Sequence, residues 1–382
     1  MIYFDNSATT KPFDEVVQSF TTVATQYFGN PSSLHGLGAE AEKLMTKARE
    51  QIAQLLHVQP KEIIFTSGGT ESNNLALKGT ALALKSRGKH IITSSVEHAS
   101  VKQACLQLEE LGFEITYLPV DCTGKVNIEE LQKAIRPETI LVSLIHVQNE
   151  VGTIQPIQAV GEILKDYPKI HFHVDHIQGI GKVPLSLNKS HVDLCSFSAH
   201  KFNGLKGTGF LYVKEGTILW PLLSGGSQEG TLRSGTENVS GFVSMAKALR
   251  MTLEKKEMVL PKIEEMKQFL QKELQKFEHV VINTPEDSAP HILNIAFEGI
   301  KGEVLVHALE EHGVYVSTTS ACSSKKKAHS DTLEAMGVPE QIAKGALRIS
   351  LSWHNTMEEC RVFLKALESC VNMLNKTMRR ST

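Results

Sequence analysis

Seven short β-rich runs recur between residues 60 and 215, at 62–65, 90–93, 114–118, 140–145, 170–174, 193–197 and 210–213. Helical patterns separate several of them, for example at 75–85 and 128–134. Strand, helix and strand at this spacing restrict the chain to an α/β domain built on a largely parallel sheet. Ligands of such sheets sit outside the carboxyl ends of the strands. After this region, residues 253–278 are charged, helix-favouring and free of glycine, and they lead into a second, smaller domain with strands near 291–297 and 346–351. The expected division is therefore a large domain over 14–252 and a small one made of 1–13 and 253–382.

With 382 residues, 41% of them hydrophobic and 21% charged, the chain has the make-up of an ordinary globular protein with a large core. A formal net charge of −2 gives no overall pull toward nucleic acid or an acidic membrane surface. No apolar run approaches the roughly 18 residues that a membrane helix needs. The first residues, Met1-Ile2-Tyr3-Phe4-Asp5-Asn6, lack the basic and apolar regions of a secretory signal. Six cysteines are irregularly spaced with no Cys-x-x-Cys pair, as expected of reduced thiols in the cytoplasm.

The residues that carry chemistry follow predicted strands. Thr66-Ser67-Gly68-Gly69-Thr70-Glu71-Ser72 leaves a strand and opens a helix, where free N–H groups and the positive dipole end suit an anion. Alone it also reads as a capped helix start. Asp175 ends the run at 170–174, with Gln178 three residues on. A carboxylate there can hold a protonated pyridine nitrogen and strengthen the ring as an electron sink, although a lone Asp often just forms a turn. Ser196-Phe197-Ser198-Ala199-His200-Lys201 follows the next strand and precedes a glycine-rich turn ending at Gly209. Most lysines are solvated, but one at a strand end beside small polar groups can lose its proton and form a Schiff base. Cys322 lies in the polar stretch Ser317 to Ser324, followed by Lys325, Lys326 and Lys327, which favour its thiolate. Cys105 and Cys195 instead sit in helix-like and strand-like contexts, as small buried hydrophobes.

Taken in order, Asp5-Asn6-Ser7-Ala8-Thr9-Thr10, Gly29-Asn30-Pro31-Ser32-Ser33, Thr66 to Asn73, Glu97-His98, Asn149-Glu150-Val151-Gly152, His173-Val174-Asp175, Ser198-Ala199-His200-Lys201, Arg233-Ser234-Gly235-Thr236 and Ser320-Ala321-Cys322 cover nearly the whole chain. This ordered set resembles the cysteine desulfurases of the NifS/IscS type, in the class V aminotransferase group. The resemblance implies a fold type I pyridoxal 5'-phosphate enzyme: a mostly parallel mixed sheet in the large domain, an α+β small domain, and a homodimer. It implies removal of sulfur from L-cysteine, giving L-alanine and a persulfide on Cys322. By position Lys201 matches the Schiff-base lysine and the proton shuttle, His98 the imidazole stacked on the ring and a catalytic residue assisting that proton transfer, and Asp175 the partner of the pyridine nitrogen. Asn149 and Gln178 match residues at the ring hydroxyl. Gly69, Thr70, Ser198 and His200 match phosphate ligands, with Thr236 reaching over from the neighbouring subunit. Arg348 matches the clamp on the substrate carboxylate, with Asn149 also on the substrate side. The sulfur acceptor, an iron–sulfur scaffold or a tRNA-thiolation enzyme, is not specified, and selenocysteine lyase activity suits the same fold. The chain departs from the family pattern at His176, at Leu205 and at Thr318-Thr319.

Two other chemistries can be read from single motifs. His171-Phe172-His173-Val174-Asp175-His176 spells His-x-His-x-Asp-His, a zinc-hydrolase pattern, yet strand alternation puts His176 on the face opposite His171, His173 and Asp175. Ser198-Ala199-His200-Lys201 fits Ser-x-x-Lys, but that motif requires the serine to open a helix, and here a glycine-rich turn follows.

Overall fold

The computed structural model describes residues 1–318 and 330–379. In chain order the first half contains β1 (Ile2–Tyr3), α1 (Asp14–Gln26), α2 (Gly36–Leu56), β2 (Ile63–Thr66), α3 (Gly69–Leu84), β3 (His90–Ser94), α4 (Ala99–Glu110), β4 (Glu114–Leu118), α5 (Ile128–Ala134), β5 (Thr139–Ile145), α6 (Ile157–Leu164), β6 (His171–Asp175), β7 (Leu194–Ser198) and β8 (Gly209–Val213). The remainder contains α7 (Val239–Leu274), β9 (Val280–Ile282), β10 (Ile292–Phe297), α8 (Gly302–Glu311), β11 (Val314–Tyr315), β12 (Ser317–Thr318), α9 (Asp331–Ala335), α10 (Glu340–Ala343), β13 (Ala346–Ser350) and α11 (Met357–Arg379).

All seven expected runs of the first region are strands, and they form one sheet in the order β2-β8-β7-β6-β5-β3-β4. β8 runs antiparallel to both neighbours, whereas β3, β4, β5, β6 and β7 pair in parallel, so the sheet is mixed but mostly parallel. Every residue of β2, β3, β5, β7 and β8 is buried, the consequence of helices covering both faces. On one face pack α1, α2 and the first half of α7, through Val16, Ile52, Phe242 and Leu249; on the other pack α3 and α4, through Leu75, Leu77, Val101 and Leu108. The register sets the ends of β2, β7 and β6 on one edge: Thr66 and Ser198 both face Gly209, and Asp175 faces Ser196.

A separate core is built from Ile2 and Phe4, the second half of α7, β10, β13, α8 and α11. Its four-stranded antiparallel sheet has the order β12-β13-β10-β9, and β1 pairs with β11 in parallel. The helix expected at 253–278 is the latter part of the 36-residue α7, so residues 252 and 253 lie inside one helix. Met251 belongs to the first core and Val259 to the second, with Pro261 just beyond the passage between them. Proline removes one N–H from the helical ladder and favours a bend there. Among the described residues no helix is long and apolar enough to cross a membrane.

Candidate active site

The strand ends at the shared edge assemble a cleft of about 450 Å³, lined by Thr9, Gly68, Thr70, Ser198, His200 and Lys206 among others. Glycine is required at its floor. Gly68, the N-cap of α3, has φ +149°, a conformation side chains rarely take. A Cβ on Gly209 would lie 2.6 Å from Gly68 Cα and 2.6 Å from Phe197 O, both backbone atoms. The first turn of α3 thus presents unpaired N–H groups to the cleft, an anion site in form. Glu71, in the same turn, accepts from Ser67 N–H at 2.8 Å and from Arg233 Nε at 2.8 Å. Although burial opposes ionisation, these donors hold its carboxyl below the usual range, and the ion pair offsets its charge beside the anion site.

Asp175 closes β6 and is 2% exposed. Its Oδ2 accepts from Asn73 Nδ2 at 2.8 Å and its Oδ1 from Ile177 N–H at 3.0 Å. Burial pushes its carboxyl up, opposed by His98, by these N–H donors and by Lys201. His98 caps α4: its Nδ1 accepts from Ser100 N–H at 3.2 Å and lies 2.8 Å from Ser100 Oγ. Burial pushes the imidazole down, countered by Asp175 and reinforced by Lys201 and Arg348. Lys201 ends the single 3₁₀ turn after β7, and its Nζ donates to Ser7 O and, at 2.8 Å, to Ala8 O. Behind it, Lys182 Nζ donates to Lys201 O at 2.9 Å, and burial together with Lys201 brings that ammonium down to about 7. Gln178 Nε2 donates to Ser7 O at 2.9 Å, while its Oε1 is buried with no partner among the described residues. His200 contacts Thr9 Oγ1 at 3.2 Å; burial, then Lys201, Lys206 and Lys182, lower it to about 4.

Arg348, on β13, comes from the other core and is 4% exposed. Its Nη1 donates to Asn149 O at 3.0 Å and its Nη2 pairs with Asp5 Oδ1 at 3.0 Å, leaving Nε buried with no partner among the described residues. Asn149 is buried beyond the end of β5. Thr236 is exposed and does not line the cleft. Cys322 lies outside the described residues, as do Thr319 and Lys325 to Lys327. The described chain stops at Thr318, paired with Leu347 beside Arg348, and resumes at Ser330, whose hydroxyl donates to Glu150. Of the described cysteines only Cys122 is exposed; Cys105 and Cys195 are buried, and burial pushes the Cys105 thiol up to about 12.

The zinc-hydrolase pattern does not assemble. Among the described residues no three His, Cys, Asp or Glu side chains are placed to hold a metal ion. His173 is spent between Ser143 Oγ at 2.8 Å and Ser196 Oγ at 2.9 Å. His176 turns to the opposite face and meets His146, Nδ1 to Nδ1 at 2.7 Å, with its ring edge on Phe197. This pairing accounts for the unusual His176, and Leu205 packs partly buried against the first core. Ser198 ends a strand and opens only a three-residue 3₁₀ turn, so the Ser-x-x-Lys reading lacks its helix.

Sequence reasoning gave no role to Asp5, Asn73, Ser100 or Lys182. Asp5 and Asn73 stood inside quoted motifs, and Ser100 follows His98 by two residues; their partners are 343, 102 and 27 residues away, so local pattern carried no signal.

A glycine-floored anion cradle, a buried carboxylate at a strand end, a lysine on the next strand end and an unsatisfied Gln178 Oε1 match the phosphate, ring nitrogen, aldehyde and ring hydroxyl of pyridoxal 5'-phosphate. The fold is that of a fold type I pyridoxal-phosphate enzyme, and these residues fit its cofactor. The chain matches the aminotransferase class-V family over residues 2–363. It is 50% identical to a NifS/IcsS protein homolog of Lactobacillus delbrueckii subsp. bulgaricus, covering 98% of both chains. It is 44% identical to a cysteine desulfurase IscS of Dictyoglomus turgidum, over 98% of this chain and 95% of that one. A solved NifS-like protein superimposes with a TM-score of 0.93 at 42% identity, over 97% of this chain and 99% of that structure. This protein belongs to the class-V aminotransferase family, on its NifS/IscS branch, whose members depend on pyridoxal 5'-phosphate.

Proposed function

We propose that the chain is a cysteine desulfurase: it takes sulfur from L-cysteine, leaves it as a persulfide on Cys322 and releases L-alanine. The observation that carries this reading is that Lys201 and Gln178 share Ser7 O, that Asp175, Lys201 and Arg348 act on the charge of His98, and that the Gly68–Thr70 turn leaves the same ends of the sheet. When bound, the cofactor supplies an electron sink that stabilises negative charge at the substrate α-carbon.

The residues of this chain divide the remaining work. The Lys201 amine would hold the cofactor aldehyde, and it is the base placed to take the proton from the substrate α-carbon. Asp175 would pair with the ring nitrogen, His98 would cover the ring, and Asn149 with Gln178 would serve the ring hydroxyl. Gly69, Thr70, Ser198 and His200 would bind the phosphate. Arg348 clamps the substrate carboxylate, and the unpartnered Nε supports that role. Asn149 lies beside it, its backbone oxygen already on Arg348. The Cys322 thiolate attacks the substrate sulfur; a carbon–sulfur bond breaks, a sulfur–sulfur bond forms, and a proton replaces sulfur on the β-carbon. Cysteine and thiol thus become alanine and persulfide with no external oxidant. The described chain on both sides of Cys322 is tied close to Arg348 and Glu150, which supports delivery of that thiol to the same site.

The working form is a homodimer in the cytoplasm. Exposed Phe28, Leu34, Leu37, Ile218, Trp220 and Leu223 supply apolar area for a second copy, and Thr236, exposed outside its own cleft, is available to the neighbour's phosphate. The acceptor of the persulfide is an iron–sulfur scaffold or a tRNA-thiolation enzyme. The two separate cores support a large domain over 14–252 and a small domain over 1–13 and 253–382. Cys322→Ser tests the assignment: it is expected to retain the visible absorbance of the holoenzyme and to form neither persulfide nor alanine. An active serine variant overturns it.

A further inference from the structure

We propose that Asn73 and Ser100 are positioning residues that fix the proton of His98 on Nε2, keeping this imidazole a neutral hydrogen-bond donor and leaving α-proton abstraction to Lys201. The inference deepens the proposed function, since it rests on Asp175 and His98 both facing the cofactor.

The polarity of the chain begins at Asp175. Its two oxygens accept from Ile177 N–H and Asn73 Nδ2, the pattern of an ionised, acceptor-only carboxylate. Turning the Asn73 amide over would set its oxygen against that carboxylate, so the amide orientation is determined. The same Nδ2 has a second hydrogen, and it lies 2.9 Å from Ser100 Oγ. Ser100 Oγ therefore accepts from Asn73 and keeps one proton to give. Its other partner is His98 Nδ1 at 2.8 Å, which must then be the acceptor. The backbone N–H of Ser100 points at the same nitrogen from 3.2 Å, and an N–H can only donate. Two donors converge on Nδ1, and the ring proton is left on Nε2.

The surroundings are consistent with that tautomer. Asn73 is fully buried and Ser100 is 8% exposed, so water competes little with either side chain. Around the imidazole, Asp175 favours a positive charge, while Lys201, Arg348 and burial disfavour it. His98 Nε2 has no partner among the described residues and is the ring nitrogen left for the substrate. A neutral Nε2–H polarises an acceptor by hydrogen bonding; it has no lone pair with which to take a proton. Lys201, whose charge acts on this imidazole, carries the amine that can accept one.

Neutron diffraction from the deuterated holoenzyme reads the chain directly. The expected result is deuterium on His98 Nε2, none on Nδ1, and the Ser100 hydroxyl turned toward Nδ1; deuterium on Nδ1 overturns the proposal. Ser100→Ala and Ser100→Thr supply a second test, read by nitrogen NMR of [15N]histidine protein with and without cofactor, His98→Gln assigning the signal. Alanine is expected to lower the Nε2–H population and to reduce kcat about five- to tenfold, with KM and visible absorbance unchanged. Threonine is expected to restore both the tautomer and kcat. An alanine variant with wild-type tautomer and kcat overturns the proposal. If borohydride fails to fix cofactor on Lys201, the reading of the site fails, while the spectra of cofactor-free protein still report on the hydrogen-bond chain.

Discussion

The floor of the site and its substrate edge are built differently. Asp175, Asn73, Ser100, His98, Ser198 and the Gly68–Thr70 turn all belong to one sheet and the helices that leave it, and hydrogen bonds link Asp175, Asn73, Ser100 and His98 inside that unit. The edge is assembled across the molecule: Arg348 holds Asp5 and Asn149, while Glu150 takes the hydroxyls of Ser330 and Thr332. The floor is rigid because strand ends cannot move without tearing the sheet. The edge depends on two cores keeping their relation, and α7 with its Pro261 is the continuous link between them. A cofactor that stays bound suits the floor; a substrate that enters and leaves suits the edge.

If this contrast holds, floor variants should act on kcat and cofactor retention, and edge variants on KM. The largest effect is expected for Lys201→Ala, a fall in alanine release of about a thousandfold or more, checked together with loss of borohydride-fixed cofactor. A substantial residual rate would break the role given to the floor. Next, Arg348→Ala should raise KM for cysteine about 10- to 100-fold, the loss of a charge-assisted hydrogen bond, with cofactor absorbance retained. An unchanged KM would show that Asp5 and Asn149 consume the guanidinium altogether.

Acid should weaken the large sheet that carries the floor. Burial holds His146 at about 4 and His173 at about 3, both below the unfolded value, so they remain neutral when folded. Their contribution to stability is complete above roughly pH 6.5 and is lost as pH falls toward the folded values, because only the unfolded chain then binds protons. Each such group adds up to about 1.4 kcal/mol per pH unit to the slope, measurable by urea denaturation between pH 7 and pH 5. His173→Gln should flatten that slope. The smallest effect is expected for Ser330→Ala, about 1 kcal/mol in urea unfolding and a modest rise in KM, with kcat less affected. A kcat loss as large as that of Ser100→Ala would erase the distinction between edge and floor.

The strands of the first sheet were legible because each is short, β-rich and bounded by turn residues. The run at 114–118 and the helix at 128–134 fall on β4 and α5 without any shift. The reversal of β8 was not legible, since a buried strand reads the same in either direction. The helix pattern found at 253–278 belonged to a longer helix that starts at Val239, where apolar residues on several faces obscure the amphipathic period. In the site, Lys201, Asp175 and the glycine turn announced themselves by position at strand ends. Asn73, Ser100, Asp5 and Lys182 did not, since an Asn, a Ser, an Asp or a Lys is ordinary until its partner is known.

What the sequence by itself determined was the order of elements, the placement of reactive side chains at strand ends, and the family. These depend on neighbours along the chain, where backbone periodicity and motif spacing act. Only the tertiary structure decided which hydrogen bonds tie Asp175 to His98, which acid neutralises Arg348, and that His176 pairs with His146 instead of joining His173 around a metal. Those outcomes depend on side chains brought together from distant segments, and a polar group's role is set by what accompanies it out of water.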